Sequence, residues 1–240
     1  MADNPEFKYF SNKDLDRINE NYMKPVFDEI ISKYDSHLNH VLDYGCGNGV
    51  FGSYFKEHTS CSLTGIDAST YALEQAIKSG YDQVIQLGDF CSQNVPLHDN
   101  SIDFVLCKDV LEHLLDPLFV LNEIHRVLKI NGLLLLHIPN HFPWVYRLKF
   151  LFTNDLDTQK YFPDATDWDF PHIRFFRLAS LVNKLEERGF KILENYSDFF
   201  TLYLPKTGRI PGLTHLQKYL AAKTPDHFAA GFTLLCQKSC

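Results

Sequence analysis

Long hydrophobic runs are missing from this chain of 240 residues. No uninterrupted apolar segment approaches the roughly 18–20 residues that a helix needs to cross a bilayer. The first residues, MADNPE, also lack the basic segment followed by an apolar one that marks a secretory leader. We therefore expect a soluble, cytoplasmic protein that does not span a membrane.

Excess positive charge and closely paired cysteines are missing as well. The net charge is −7, so a large electrostatic surface for nucleic acid is not expected. The six cysteines include no CxxC pair, which argues against a zinc ribbon or a thioredoxin-type redox site. With 45% hydrophobic residues the chain can bury a full core, and its length suits one large domain. The oligomeric state does not follow from these numbers.

Glycines at alternate positions stand out in the segment VLDYGCGNGV, residues 41–50. The apolar residues before them predict a buried strand, and glycine lets the backbone turn sharply and approach a ligand closely. The helix expected from Val50 would direct its unpaired amide groups at that ligand. A dinucleotide-binding loop would carry a small residue at position 50, so the valine there fits NAD poorly. The segment therefore predicts a loop for a nucleotide-type cofactor, with NAD disfavoured.

Three further predicted strands also end in polar residues. Asp67 closes LTGID, Asp89 follows VIQLG, and KDVLEH of residues 108–113 follows SIDFVLC. Each acid alone could be a helix cap or a turn residue. Their order along the chain places all of them, with the glycine loop, at the carboxyl ends of strands. Ligands bind in the crevice at that edge of an open α/β sheet.

Together these segments resemble the motifs of the class I S-adenosylmethionine-dependent methyltransferases. The resemblance implies that Asp67 binds both ribose hydroxyls, because a carboxylate accepts two hydrogen bonds from a diol. It also implies that Asp89 and its apolar neighbour bind the adenine. The implied S-adenosylmethionine site consists of Asp43, Tyr44, Gly45, Gly47, Gly49, Asp67, Ala68, Asp89, Phe90, Cys107 and Lys108.

Strand and helix patterns alternate from about residue 38, and the apolar run at 133–138 predicts a central buried strand. Two final strand patterns, 190–200 and 228–237, are not separated by a helix adequate for a parallel crossover. We therefore predict an α/β fold: a Rossmann-like, seven-stranded, mostly parallel sheet with an antiparallel C-terminal hairpin and an aromatic-rich cap insertion. Prolines and glycines in 201–227 predict a loop with one short helix.

The whole chain, 1–240, is predicted to form a single domain. Its predicted parts are an N-terminal helical lid (1–37), a cofactor-binding core (38–138), a cap or substrate insertion (139–176) and a C-terminal helix with the strand hairpin (177–240).

The predicted cap holds both tryptophans of the chain, Trp144 and Trp168. Aromatic walls would exclude water and attract a sulfonium by about 0.5–2 kcal/mol, or they would simply pack the cap onto the sheet. The sequence HIRFF at 172–176 resembles a segment of bacterial methyltransferases of the methionine-biosynthesis-like and glycan-associated groups. That resemblance implies a small-molecule, sugar or lipid-linked acceptor. Attachment of 144–152 to a membrane surface is less favoured, because the positive charge there is small.

Histidines after the fourth predicted strand and in the predicted cap are candidates for the catalytic base. Methyl transfer needs alignment, and an oxygen nucleophile usually also needs a base. A neutral histidine can accept that proton at pH 7, and the candidates are His113, His141 and His172. We predict catalytic roles for His113, His172 and Asp109, with the two imidazoles facing each other across the acceptor pocket.

The same residues allow a metal-assisted alternative. Asp109, Glu112 and His113, with His172 from the cap, resemble the metal site of small-RNA 2′-O-methyltransferases and the related segment of ubiquinone-pathway O-methyltransferases. Asp109 is one methylene shorter than the glutamate of that pattern. We expect base catalysis without a metal, and the metal-assisted route stays open. A further alternative is a catalytically silent protein that only holds the cofactor within a complex.

Overall fold

The computed structural model describes residues 23–153, 171–197 and 213–239. Residues 1–22 of the predicted lid and 154–170 of the predicted cap lie outside the described residues. The strands are β1 His40–Tyr44, β2 Ser62–Asp67, β3 Gln83–Gln86, β4 Ile102–Lys108, β5 Leu128–Pro139, β6 Phe190–Asn195 and β7 Gly231–Lys238. The helices are α1 Lys24–Tyr34, α2 Val50–His58, α3 Thr70–Lys78, α4 Pro117–Val127, α5 Trp144–Thr153, α6 Leu178–Glu186, α7 Leu213–Lys223 and α8 Pro225–Phe228, with 3₁₀ turns at Asp35–His37 and Leu111–His113. None of the helices in the described ranges combines the length and apolar character that crossing a membrane requires.

The seven strands form one sheet in the order β3-β2-β1-β4-β5-β7-β6. Neighbouring strands from β3 to β5 pair in parallel, whereas β7 runs antiparallel to both β5 and β6. This confirms the predicted Rossmann-like sheet with its antiparallel C-terminal strands. The chain order reverses at β1, which has β2 on one side and β4 on the other. The cofactor crevice of such a sheet opens at the carboxyl ends of these strands.

Both faces of the sheet are covered, which explains why its central strands are apolar at nearly every position. On β4, Phe104 and Leu106 belong to the hydrophobic core on the face covered by α1 and α2, and the rings of Phe104 and Phe55 lie 4.9 Å apart. Val105 and Cys107 alternate with them and belong to the core on the opposite face, with α4 and α6. A strand buried on both faces gains stability from every side chain, so β4 carries a continuous apolar sequence.

Side-chain caps fix the starts of two helices that leave the cofactor edge. The Ser69 side chain accepts a hydrogen bond from the Ala72 N–H at the start of α3. The Asp116 carboxylate accepts from the N–H groups of Leu118 and Phe119 at the start of α4. Each cap contributes about 0.5–2 kcal/mol to helix stability. These caps fix where α3 and α4 leave the cofactor edge of the sheet.

The segment before β7 is more helical than its proline content suggests. The described part of 201–227 contains both α7 and the start of α8, so the prediction of one short helix is wrong. Pro225 accounts for the break, because it has no N–H with which to continue α7. Its fixed φ suits the first position of a new helix, and α8 begins at this proline.

Candidate active site at the carboxyl edge of the sheet

The loop after β1 is built so that only glycine fits at its alternate positions. Gly45, Gly47 and Gly49 have φ values of 79°, 52° and 85°, a region that residues with a Cβ rarely adopt. A Cβ at Gly45 would overlap the Val110 side chain, and one at Gly49 would come within 2.9 Å of the Ala76 Cα. The backbone of the loop therefore rests directly on the turn that follows β4 and on α3. This contact brings the loop next to the residues after β4.

Asp67, at the end of β2, fastens this loop from one side. Its Oδ2 accepts a hydrogen bond of 2.9 Å from the Gly47 N–H, and its Oδ1 accepts one of 2.9 Å from the Ser69 N–H. Burial raises the pKa of Asp67, and these backbone donors oppose that rise. The carboxylate therefore lies at the glycine loop, where the resemblance to methyltransferases requires it.

Asp43 has a partner that the sequence did not reveal. The Tyr81 hydroxyl donates a hydrogen bond of 2.5 Å to the Asp43 Oδ2 and also lies 3.3 Å from the Gly49 carbonyl oxygen. Tyr81 follows the glycine that ends α3 and has no motif of its own, so no sequence signal marked it. Burial raises the pKa of Asp43 to about 7, while the hydrogen bond from Tyr81 lowers it. The Tyr81 hydroxyl therefore links the Asp43 carboxyl group to the glycine loop.

This buried carboxyl group makes stability depend on pH. Because the pKa of Asp43 is about 7 in the folded protein and about 3.9 when unfolded, folding favours its protonated form. The resulting stabilisation is complete below about pH 4 and is lost as the pH rises to about 7. We expect the free energy of unfolding of the wild type to fall by about 2–3 kcal/mol from pH 5 to pH 8, relative to Asp43→Asn. Urea unfolding of both proteins at the two pH values measures this difference, and parallel pH profiles would contradict it.

The structure places the other predicted cofactor residues in different environments. Tyr44 and Cys107 are fully buried in the core, and the Phe90 ring packs edge-on against Tyr44 at 5.2 Å. Asp89 is exposed and its carboxylate accepts from the Ser92 hydroxyl and the Cys91 N–H within its own turn. The Ala68 carbonyl accepts a hydrogen bond from Gln86, and the Lys108 ammonium lies 4.5 Å from the centre of the Phe51 ring. The side chains of Tyr44 and Cys107 therefore belong to the core under the cofactor edge.

Asp109 begins the turn that follows β4. It has φ 53°, an unusual value for a residue with a side chain, and its N–H donates to the His137 carbonyl at 3.0 Å. Its carboxylate forms an ion pair with Lys108 and lies 3.5 Å from the His137 Nε2. Burial alone would raise the pKa of Asp109, but Lys108 and His137 outweigh it and hold this pKa below its usual value. Asp109 therefore carries a charge that is already paired, which leaves it less suited to act as a base.

Glu112 is fully buried in the 3₁₀ turn that follows. Within the described part of the chain, neither of its carboxyl oxygens has a hydrogen-bond partner, and its Oε1 lies 4.0 Å from the His172 Nε2. Burial and the nearby Asp109 raise the pKa of Glu112 well above its usual value. The Glu112 carbonyl accepts hydrogen bonds from the N–H groups of Ile173 and Arg174 at 2.9 and 3.0 Å. These two bonds bring the end of the predicted cap to the cofactor edge.

Three histidines meet at this junction in a continuous row. The rings of His113 and His172 contact each other edge to face, with centroids 4.6 Å apart. The Nδ1 of His172 lies 2.6 Å from the Nε2 of His141. His113 Nδ1 lies 3.2 Å from the Pro171 carbonyl oxygen. Since the rings of His113 and His172 touch, an acceptor does not fit between them, which corrects the predicted arrangement across a pocket.

Burial keeps the His113 and His172 imidazoles neutral at pH 7. It lowers the pKa of His113, and, together with the proximity of His113 and His141, which disfavours a second positive charge, it lowers the pKa of His172 to about 2. A base with so low a pKa holds a proton poorly, because efficient proton transfer needs a pKa near the working pH. His113 is therefore the better proton acceptor of the two.

Three of the four residues considered for a metal lie together. Glu112, His113 and His172 each offer a ligand atom, and these atoms all lie within 4.8 Å of one another. The unpartnered buried carboxylate of Glu112 fits such a site. Two imidazoles and one carboxylate suit Zn²⁺ better than Mg²⁺, which prefers oxygen ligands. Asp109 does not belong to this group, since its carboxylate turns to Lys108.

Comparisons with known proteins agree with this geometry. The model of the methyltransferase domain family matches residues 8–195. The chain is 27% identical over 173 residues to the ubiquinone biosynthesis O-methyltransferase of Colwellia psychrerythraea, covering 69% of this chain and 66% of that protein. It is 32% identical over 102 residues to the enzyme of the same name from Histophilus somni, covering 39% of this chain and 42% of that protein. It is 31% identical over 126 residues to the sterol 24-C-methyltransferase of Schizosaccharomyces pombe, covering 46% and 33%. The chain thus spans about two thirds or less of the length of these relatives.

Solved structures show the same fold. One similar structure is a complex between the Haloferax volcanii Trm112 methyltransferase activator and a methyltransferase, with a TM-score of 0.68, 15% identity and full coverage of both chains. Another is an S-adenosylmethionine-dependent methyltransferase from Mesorhizobium loti, with a TM-score of 0.58 and 16% identity, covering 93% of this chain and 100% of that one. At these identities the likeness concerns the fold alone.

Proposed function

Since the chain belongs to the S-adenosylmethionine-dependent methyltransferase family, we propose that it methylates a hydroxyl oxygen of a small-molecule acceptor. Two imidazoles that are neutral at pH 7, His113 and His172, carry this proposal, since they lie at the turn whose Val110 packs on the glycine loop. Oxygen, unlike a thiolate or a neutral amine, usually has to lose its proton during transfer, and a neutral imidazole accepts it. The names of the ubiquinone biosynthesis O-methyltransferases support oxygen as the target, whereas the sterol relative leaves carbon as a rival. A sugar or lipid-linked alcohol remains within the proposed acceptor class.

The residues of the crevice fit the cofactor. The glycine loop admits a ligand close to its backbone, and Asp67 places a carboxylate with two acceptor oxygens beside it. When bound, S-adenosylmethionine supplies a methyl group on a sulfonium, which is already activated for transfer. The protein therefore has to hold the two reactants in line, which is worth up to about 7–11 kcal/mol.

His113 is assigned as the proton acceptor. Its Nδ1 lies at the Pro171 carbonyl, so the hydrogen of the neutral ring belongs on Nδ1 and Nε2 is the accepting atom. Val110, three residues before His113, packs its side chain against the glycine loop. This contact keeps His113 close to the cofactor edge. His172 packs against the His113 ring and holds its orientation.

Product analysis tests the proposal directly. The full chain is incubated with methyl-labelled S-adenosylmethionine and cell extract, and methylated compounds are identified by mass spectrometry. We expect a methyl ether. A product methylated only at nitrogen or carbon would reject oxygen as the target, and cofactor binding without transfer would favour the silent-partner alternative.

The second candidate is a metal-assisted version of the same reaction, and the observation that favours it is the buried carboxyl group of Glu112. Its unpartnered oxygens, with His113 and His172, would hold a divalent ion that polarises the acceptor hydroxyl. Against this stands its raised pKa, since a protonated Glu112 is neutral and needs no cation.

We expect base catalysis, and therefore unchanged activity in chelator and in Glu112→Gln, a variant that keeps the shape of the protonated side chain. Turnover with the acceptor found above is measured in chelator, before and after adding Zn²⁺ or Mg²⁺. Loss in chelator with recovery on adding an ion, together with loss in Glu112→Gln, would establish the metal-assisted route instead.

A further inference from the structure

An open cavity of about 250 Å³ is lined by Asn140 and Phe142, the two chain neighbours of His141. It is formed where the end of β5, the helix α5, the start of α6 and the helix α8 come together. Its lining residues are Asn140, Phe142, Arg147, Phe176, Arg177 and Asp226. None of these residues belongs to the predicted cofactor site or to the histidine row.

We propose that this cavity binds an acidic group, a carboxylate or a phosphate, carried by the methyl acceptor. The proposal rests on the proposed function, because it narrows the acceptor to molecules that carry a negative charge near the hydroxyl to be methylated. Guanidinium groups bind both oxyanions through paired hydrogen bonds, so the two anions share one recognition chemistry.

The charges in the cavity favour an anion. Arg147 is fixed at its wall, since its Nε donates to the Phe142 carbonyl at 2.6 Å and its Nη2 lies 3.4 Å from the Asp226 carbonyl oxygen. Within the described part of the chain, the Arg177 guanidinium forms no hydrogen bond or ion pair. It also stands at the N-terminus of α6, where the helix dipole adds partial positive charge.

Asp226 is the acid that lines the cavity, and it is already engaged. Its Oδ1 accepts a hydrogen bond of 2.9 Å from the Leu178 N–H at the first turn of α6. Within the described part of the chain, the Asp226 carboxylate forms no ion pair with Arg147 or Arg177. Two guanidinium groups therefore face one carboxylate, and the cavity keeps a positive excess that an acidic ligand group would neutralise.

The cavity is linked to the histidine row through Asn140 and Phe142, which flank His141 in the chain. The Asn140 amide donates to the Ala229 carbonyl at 2.9 Å, and its Oδ1 accepts from the Phe142 N–H at 3.1 Å, which fixes the end of β5 against α8. The next residue along the chain, His141, belongs to the histidine row. The Phe142 ring lies 6.5 Å from the His141 ring, centre to centre. An acidic group held in the cavity would therefore place the rest of the acceptor near Phe142 and His141.

Ligand titration tests this site without any need for methyl transfer. Phenylphosphonate, benzoate and neutral benzyl alcohol are titrated by calorimetry into the full chain at constant ionic strength. We expect the wild type to bind at least one anion and to bind benzyl alcohol much more weakly. The Arg177→Gln variant should raise the dissociation constant for the anion about 10-fold or more, because one charged hydrogen-bonding partner is lost.

Lys184→Gln is the matched control, because it removes one positive charge from the same helix at an exposed position outside the cavity. Its affinity for the anion should equal that of the wild type. Equal weakening in both variants would show general charge attraction and overturn the proposal, as would benzyl alcohol binding as tightly as the anions. If the anion does not bind while methyl ethers still form, the anion site is rejected and the proposed function stands.

Discussion

Replacing His113 by alanine should lower turnover about 10²–10⁴-fold, because the acceptor hydroxyl loses its proton acceptor. The affinity for S-adenosylhomocysteine should stay the same, since the His113 side chain contacts His172 and Pro171, which are not among the predicted cofactor residues. Single-turnover rates with saturating acceptor measure the first effect, and calorimetry measures the second. His98→Ala is the control, because that histidine is exposed and lies outside the site.

The pH dependence gives this prediction a second readout. Burial lowers the pKa of His113, so the imidazole is neutral at pH 7 and becomes protonated only below the usual range of histidine. Turnover should therefore be constant around pH 7 and fall only at a pH below the usual pKa of histidine, as His113 takes up a proton. His113→Ala should lose this acid limb. A variant that keeps full turnover, or one that keeps the same limb, would remove His113 from the mechanism.

Replacing Asp67 by alanine should weaken binding of S-adenosylhomocysteine by about 1.5–3 kcal/mol, the usual loss for a hydrogen bond to a charged group. The carboxylate lies at the glycine loop and accepts from the Gly47 and Ser69 N–H groups. Its removal therefore takes away the group assigned to the ribose hydroxyls and also loosens the loop. Calorimetric titration of the folded variant measures the change.

Two variants separate these contributions. Asp67→Asn keeps one acceptor oxygen and should bind more tightly than Asp67→Ala. Asp99→Ala removes a carboxylate that is paired with Arg126 outside the cofactor edge, so its affinity should match the wild type. If Asp67→Ala bound the ligand as tightly as the wild type, the placement of the ribose at β2 would have to be abandoned.

The sheet and the cofactor edge could be predicted because each depends on local sequence chemistry. Glycines at 45, 47 and 49 are required by positive φ values, and such a requirement leaves a visible pattern in the sequence. The apolar runs of β4 and β5 follow from burial on both faces. The start of α4 is likewise local, since the Asp116 cap and the fixed φ of Pro117 act within one turn.

The contacts that complete the site could not be predicted, because they join residues far apart in the chain. Tyr81 reaches Asp43 across 38 positions, and nothing in its own neighbourhood requires a tyrosine. His141 meets His172 across 31 positions, and the direct contact between the rings of His113 and His172 replaces the predicted pocket between them. The orientation of Asp109 towards Lys108 likewise depends on the turn that the backbone takes after β4.

Calorimetric titration of the full chain with S-adenosylhomocysteine and, separately, with NAD tests the central claim most directly. The loop geometry and Asp67 predict that S-adenosylhomocysteine binds at one site per chain and that NAD does not bind. Binding of NAD without binding of S-adenosylhomocysteine would contradict the account, because the glycine loop would then serve a different cofactor.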